Sequence, residues 1–256
     1  KVMLPQVKAS REAIEYFLRE IENAKALRHP NVVQVLDSNC VEENFFLALE
    51  YCEGGNLESY VQSQGGCLSL EAALHLFWQI LEGLAYAHGV EIPQVTPKDG
   101  QIKPGRGLVH RDIKPANIFL TGMGANPVAK VGDYGLAKAF EFAGLSGRTR
   151  TGMTAGSPDF MPRQQAMNFK YAKPDVDVWA SAACLYYMLT GHTPRMLVPG
   201  HDPWRQILKT DPTPIQERAE NIPDALARVI NQALDDRSEL RFKSAQKLKQ
   251  ALEAAL

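Results

Sequence analysis

Two short segments near the middle of the chain carry the residues best suited to chemistry. Residues 110–120 contain an H-R-D-x-K-x-x-N string with Asp112, Lys114 and Asn117, and a D-Y-G triplet begins at Asp133. The triplet alone indicates little, because Asp and Gly favour turns anywhere, but the longer string is far more restrictive. Carboxylate and amide oxygens are the ligands that Mg²⁺ prefers. With a lysine nearby, such a set could hold a divalent ion beside a positive charge.

The elements that must position these side chains fall into two unlike parts. Helical spacing of apolar residues predicts a helix over residues 10–27, ended by Pro30, and two strands follow. The strands are predicted over 32–36 and 45–52, further helices over 57–62, 70–88, 175–189, 224–234 and 245–256, and short strands over 117–120 and 128–131. Because Glu53 and the two glycines after it break the pattern, we predict an α+β protein of two lobes.

Composition excludes several classes of protein. With 256 residues, 45% hydrophobic and 22% charged, the chain is neither disordered nor fibrous. Its 28 basic and 29 acidic residues predict no general attraction to nucleic acid or to an acidic membrane surface. No apolar run has transmembrane length. The four cysteines form no CxxC pair, so we expect reduced thiols and a cytoplasmic location. The histidines outside the H-R-D string form no cluster with metal-ligand spacing, and we assign them no function.

The chain begins at Lys1 rather than Met, and we therefore expect a piece of a longer protein. A membrane anchor or a regulatory domain would then lie outside the given sequence. No membrane contact is expected from this piece itself.

In type, order and spacing, the two motifs resemble those of the eukaryotic-type Ser/Thr protein kinase family, and most closely its bacterial members. The resemblance covers nearly the whole chain. It implies a small N-terminal sheet lobe with one helix over residues 1–53, its first strands lying before Lys1, and a larger, mostly helical lobe over 54–256. It also implies ATP, Mg²⁺ with Mn²⁺ as the alternative ion, and protein substrates carrying Ser or Thr.

The same resemblance implies a role for each polar residue of the two motifs. Asp112 would orient the substrate hydroxyl and accept its proton. Lys114 would place a positive charge on the moving γ-phosphate, and it marks specificity for Ser/Thr rather than Tyr. Asn117 and Asp133 would bind the metal ion.

Further positions are implied for ATP binding. Glu20 would hold Lys1 against the α- and β-phosphates, although on helix statistics alone Glu20 is one more solvated charge. The adenine and ribose would meet the gatekeeper Leu49, the hinge backbone at Glu50 and Cys52, Phe119 below the ring, and Asn56.

A third group of positions would be structural. Asp177 resembles the buried Asp that anchors the catalytic-loop backbone. Gln164 replaces the Glu that the family pairs with Arg241, so we expect a neutral hydrogen bond there, weaker by about 1 kcal/mol. Tyr134 replaces the usual Phe and adds a hydroxyl that needs a partner. The framework also includes His110, Arg111 and Gly135.

Two segments suggest regulation. Thr149, Thr151 and Thr154 lie in the activation segment implied by the resemblance, from Asp133 to about Gln164, and Arg111 is the cation that a phosphothreonine would need. Copies of the chain would associate to phosphorylate one another. The link over residues 89–107 is longer than usual for the family; we expect a passive surface insertion, with a docking element as the alternative.

Two other classes of function are compatible with part of these motifs. A pseudokinase would use the same fold as a nucleotide-binding or scaffold module without turnover. A small-molecule kinase would also combine a catalytic Asp with Mg²⁺. The presence of Lys1, Glu20, Asp112, Asn117 and Asp133 disfavours the first alternative, and Lys114 with the activation segment disfavours the second.

Overall fold

The computed structural model describes residues 2–3, 11–41, 44–95, 103–122, 124, 126–134, 158–169, 172–219 and 221–256. The smaller lobe contains strands β1 (Val2–Met3), β2 (Val35–Val41) and β3 (Asn44–Leu49), with helix α1 (Arg11–Lys25). The three strands form an antiparallel sheet with β3 in the centre. Ile21 and Ala24 on α1 are buried, as the helical spacing of its apolar residues predicts.

The larger lobe is built on helices α2 (Leu57–Ser63), α3 (Leu70–Gly89), α4 (Arg163–Met167), α5 (Pro174–Thr190), α6 (Pro203–Lys209), α7 (Asp224–Leu234) and α8 (Ala245–Glu253). Most of α5 is buried on all sides, so this helix forms the centre of the lobe. Its start at Pro174 and its end at Gly191, with φ at +72°, follow the usual preference for Pro at the first turn and Gly after the last. None of the described helices is long and apolar enough to cross a membrane.

Two hairpins lie between α3 and α4. One pairs β4 (Glu91–Val95) with β5 (Lys103–Arg106), and the other pairs β6 (Ile118–Thr121) with β7 (Val128–Val131). Val32 forms a parallel bridge with Val131, so β7 links the larger lobe to the segment that follows α1. Short 3-10 turns cover Pro115–Asn117, Pro158–Phe160 and Ile215–Glu217.

The β4–β5 hairpin occupies the long link that sequence analysis expected to be a passive surface insertion. Its β4 strand lies against α1, and Ile92 is only 2% exposed within the main core. The chain returns where the Gly107 N–H donates to the Val90 carbonyl at 2.8 Å. The described part of the link is therefore packed secondary structure in contact with α1, and the choice between a passive insertion and a docking element stays a prediction.

Candidate active site

The loop that carries the H-R-D string, the catalytic loop implied by the resemblance, is held in shape by His110, which is buried at 1% exposure. Its Nε2 lies 2.6 Å from the Gly132 carbonyl, and its Nδ1 accepts the Asp112 backbone N–H at 3.2 Å. These two bonds assign the Nε2–H tautomer to the ring, because a carbonyl only accepts and a backbone N–H only donates. The imidazole thus ties the H-R-D string to the start of the D-Y-G triplet.

Lys114 and Asn117 of the H-R-D string both contact the Asp112 carboxylate. Lys114 Nζ lies 3.0 Å from Asp112 Oδ2. The Asn117 side-chain amide donates to the same oxygen at 3.0 Å and to the Asp112 backbone carbonyl at 2.8 Å. Asp112 and Lys114 are both partly exposed, at 17% and 24%. The carboxylate is thus oriented by an amide, accompanied by a cation and open to a reactant.

Asp177 anchors the backbone of this loop from the buried start of α5. Its Oδ2 accepts the His110 N–H and its Oδ1 the Arg111 N–H, each at 2.8 Å. His88 Nε2 lies 2.8 Å from the same carboxylate. Burial works to raise the pKa of Asp177, but the hydrogen bond and charge of His88, the charge of His110 and the backbone N–H of Arg111 outweigh it, so the pKa falls below its ordinary 3.8.

His88 is a contact that sequence reasoning missed, since no function was assigned to histidines outside the H-R-D string. Its side chain is 8% exposed. The available sequence signal was its position at the end of the predicted helix, immediately before the long link. A histidine there is placed by tertiary structure against a carboxylate 89 positions away in the chain.

Asp133 follows directly on the segment that contacts Asn117. The Gly132 N–H donates to the Asn117 backbone carbonyl at 2.9 Å, and Asp133 takes a left-handed conformation with φ at +62°. Because the Asn117 amide nitrogen faces Asp112, its side-chain oxygen is turned away from that carboxylate. An amide oxygen and a carboxylate of adjoining segments fit a hard divalent ion whose other ligands are water and phosphate. Among the described residues, no group of three His, Cys, Asp or Glu suits an all-protein metal site.

The predicted hinge is fixed by Glu50. Its backbone N–H donates to the Gln34 carbonyl at 2.9 Å, and the adenine contact expected of the Glu50 backbone stays a prediction. Its side chain pairs with Lys130 of β7 at 2.7 Å and accepts the Gln34 N–H at 3.2 Å. Burial, followed by the negative charge of Glu50, raises the pKa of the Cys52 thiol, so Cys52 carries a neutral side chain here.

Asn56 has a local role that sequence analysis did not assign. Its side-chain oxygen accepts the Ser59 N–H at 2.9 Å and caps the N-terminus of α2. Asn is among the best residues for this position. The ribose contact expected of Asn56 stays a prediction.

A small cavity of about 20 Å³ lies behind the predicted gatekeeper. Leu49, Ile21 and Tyr134 contribute to its lining. The Tyr134 ring meets the His110 ring edge-on at 4.7 Å, and its hydroxyl is buried without a hydrogen-bond partner. The partner that sequence analysis required for this hydroxyl is therefore missing from the described part of the chain. Burial raises the pKa of Tyr134 well above its ordinary value, so the hydroxyl stays protonated.

Phe119 is partly buried and Glu20 is buried, while the ATP contacts expected of both residues stay predictions. The Phe119 ring covers Gly132 so closely that a Cβ there would come within 2.6 Å of a ring carbon. Glu20 is 9% exposed, which contradicts the alternative of a solvated helix charge. The remaining predicted site residues lie outside the described residues, namely Lys1, Gly135, Thr149, Thr151 and Thr154.

The hydrogen bond predicted between Gln164 and Arg241 is absent. Gln164 Nε2 donates to the backbone carbonyls of Asp236 and Ser238, while its Oε1 is buried without a partner. Arg241 is exposed, with its guanidinium 6.0 Å from the Phe242 ring centroid. The prediction was wrong because a neutral amide can donate to carbonyls, whereas the carboxylate it replaces can only accept.

A buried charge cluster lies beside Gln164 instead, and sequence reasoning missed it. Arg163 and Arg195 both contact Asp236, whose side chain is 0% exposed. Arg195 is itself 1% exposed and stacks over the Trp179 ring at 5.0 Å. The one sequence signal was the charge of Arg163, directly next to the Gln164 substitution.

Comparison with known proteins identifies the family of this chain. A family model for the protein kinase domain matches residues 1–252. The chain is 31% identical over 221 residues to mitogen-activated protein kinase kinase kinase 5 of Arabidopsis thaliana, covering 84% of this chain and 27% of that protein. It is 33% identical over 175 residues to sperm motility kinase Z of Mus musculus, covering 68% of this chain and 30% of that protein. The chain thus spans less than a third of the length of these curated relatives.

Among solved structures, the fold is similar to the kinase domain of Mycobacterium tuberculosis PknI. The TM-score is 0.69 at 21% identity, and the match covers 100% of this chain and 84% of that one. The two-lobed α+β kinase fold predicted from sequence is confirmed. The chain belongs to the protein kinase family, whose members use ATP and a divalent metal ion to phosphorylate proteins.

Proposed function

We propose that this domain transfers the γ-phosphate of ATP to Ser or Thr hydroxyls of proteins, with Asp112 as the catalytic base. The observation that carries the proposal is the joint contact of Lys114 and Asn117 with the Asp112 carboxylate, each at 3.0 Å. In this reaction the hydroxyl oxygen forms a bond to the γ-phosphorus, ADP leaves, and the hydroxyl proton passes to Asp112. Lys114 would offset negative charge on the transferring group.

Mg²⁺ is the metal ion we propose, held through the side-chain oxygens of Asn117 and Asp133, with Mn²⁺ as the alternative. When bound, the ion supplies charge neutralisation on the phosphates. Positioning is the task of the chain itself: Asn117 orients Asp112, and Asp177 fixes the backbone before it. Positioning of this kind supplies much of the rate in phosphoryl transfer.

The proposal can be tested by incubating the full-length protein with radiolabelled ATP and a mixed Ser/Thr peptide library. We expect Ser/Thr labelling that falls about a thousandfold in Asp112→Asn, because the variant cannot accept the proton. The matched control is Asp37→Asn, which changes a carboxylate that is 79% exposed, and it should label as the unchanged protein does. ATP-dependent thermal stabilisation with no labelling would contradict a kinase and support the pseudokinase alternative.

Activation by phosphorylation at Thr149, Thr151 or Thr154 is a second part of the proposal. It is supported by Arg111, whose Nε is buried and lacks a hydrogen-bond partner among the described residues. Pairing of Arg111 with a phosphothreonine would satisfy that group. Intact-mass analysis after incubation with ATP should find added phosphate on these threonines, and self-association would allow copies to modify one another. Full activity without any added phosphate would contradict this part.

A cytoplasmic location is also proposed rather than established. Cys52, Cys67 and Cys184 are free thiols, which supports a reducing compartment. Imaging of the tagged full-length protein would test the location.

A further inference from the structure

Gln165 connects α4 directly to the catalytic loop. Its side chain is 2% exposed, and its amide donates to the Arg111 backbone carbonyl at 2.6 Å. Arg111 immediately precedes Asp112. Its φ is +69°, a left-handed backbone conformation that residues other than Gly rarely adopt. Such a conformation persists only where the surroundings hold it. The Asp177 carboxylate holds the N–H of Arg111, and Gln165 holds its carbonyl.

We propose that Gln165 is a positioning residue for Asp112, and that the buried cluster of Arg163, Arg195 and Asp236 keeps Gln165 in place. The inference rests on the proposed phosphoryl transfer, in which Asp112 is the base. It assigns to this cluster a role in supporting the catalytic loop, whereas the predicted contact of Gln164 with Arg241 is absent.

The cluster fixes the first turn of α4 from two directions. The Arg163 backbone N–H and guanidinium both bind the Asp236 carboxylate, at 2.8 Å and 3.1 Å. Arg195 binds the same carboxylate and donates to the Met161 carbonyl at 3.1 Å, just before the helix. Buried charge pairs resist separation, because a partner left alone has no water to replace the lost contact. Gln165 stands two residues after Arg163 in the same short helix, so movement of one moves the other.

A second set of bonds secures Arg163 to the segment that follows α6. Its guanidinium donates to the Thr210 carbonyl at 2.7 Å and contacts Asp211 at 2.8 Å. Arg195 Nε also donates to the Thr210 carbonyl, at 2.9 Å. The support for Gln165 therefore reaches the α6 region, the end of α7 and the start of α4 together.

Gln165→Met and Arg163→Met test the proposal in the full-length protein. Both variants keep similar volume and remove the polar contacts. For each we expect kcat to fall about tenfold while KM for ATP changes less than about twofold, because the displaced group is the base and not the nucleotide site. The double variant should be no slower than Gln165→Met alone, since both residues act through one contact. Arg241→Ala is the control and should leave kcat unchanged.

Hydrogen exchange of the peptide over residues 108–114 gives a readout that does not require turnover. We expect faster exchange there in Gln165→Met and Arg163→Met than in Arg241→Ala, with all three variants still melting cooperatively. If exchange responds as expected but neither the unchanged protein nor any variant transfers phosphate, the positioning role holds and the proposed function fails. Unchanged kcat in Gln165→Met, additive losses in the double variant, or equal effects of Arg241→Ala would overturn the positioning role.

Discussion

Asp177→Asn is expected to lower the free energy of unfolding by about 3 kcal/mol and kcat by about a hundredfold. The carboxylate accepts the N–H groups of His110 and Arg111 and contacts His88. An amide presents one oxygen and one NH₂ group in the same space, so at least one buried donor must lose its acceptor. Denaturant unfolding and steady-state kinetics of the purified variant measure the two effects.

The pH dependence of this effect follows from the depressed pKa of Asp177. Because the folded pKa lies below the ordinary 3.8, the ionised carboxylate stabilises the fold at pH values above about 4. That contribution is lost as the pH falls from there through the folded pKa. The difference in unfolding free energy between the unchanged protein and Asp177→Asn should therefore shrink in this acid range.

Asp175→Asn is the matched control for Asp177→Asn, one half-turn earlier on the same helix. Asp175 has a partly exposed ion pair with Lys243 at 3.3 Å, and pairs of that kind contribute about 0–1 kcal/mol. The anchoring role would be contradicted if Asp175→Asn lost as much unfolding free energy as Asp177→Asn. It would also be contradicted if Asp177→Asn unfolded like the unchanged protein.

Gly83→Ala should destabilise the protein by about 2 kcal/mol, although Ala exceeds Gly in helix propensity by about 1 kcal/mol. Gly83 lies inside α3, and a Cβ on it would come within 2.5 Å of the Asn31 backbone oxygen. Two hydrogen bonds hold Asn31 in place. Its carbonyl accepts the Val131 N–H at 2.9 Å, and its side chain donates to the Ala129 carbonyl at 2.9 Å. Thermal and denaturant unfolding measure the loss.

Gly89→Ala separates the clash from a general effect of alanine. Gly89 is the last residue of α3, and a Cβ there would meet nothing within 4 Å. The unfolding free energy of Gly89→Ala should stay within about 0.5 kcal/mol of that of the unchanged protein. If Gly83→Ala proved neutral or stabilising, the close approach of α3 to Asn31 would be wrong.

The candidate catalytic residues could be predicted from the local sequence, because residues close together in the chain need little tertiary structure to meet. Asp112, Lys114 and Asn117 lie within six positions, and a loop and one 3-10 turn suffice to bring them together. The division at residue 53 remains a prediction, although the elements on either side of it differ as expected. Strand and helix periods also predicted most elements, since apolar spacing reflects which face is buried.

The sequence by itself determined the family, the two-lobed fold class and the residues that meet at Asp112. Only the tertiary structure decided which distant groups support them. His88 reaches Asp177, Gln165 reaches Arg111, Arg163 pairs with Asp236, and Gln164 donates to the Asp236 carbonyl instead of contacting Arg241. The physical reason is that periodicity and spacing report on neighbours along the chain, whereas a buried donor or charge takes its partner from whichever segment packs against it.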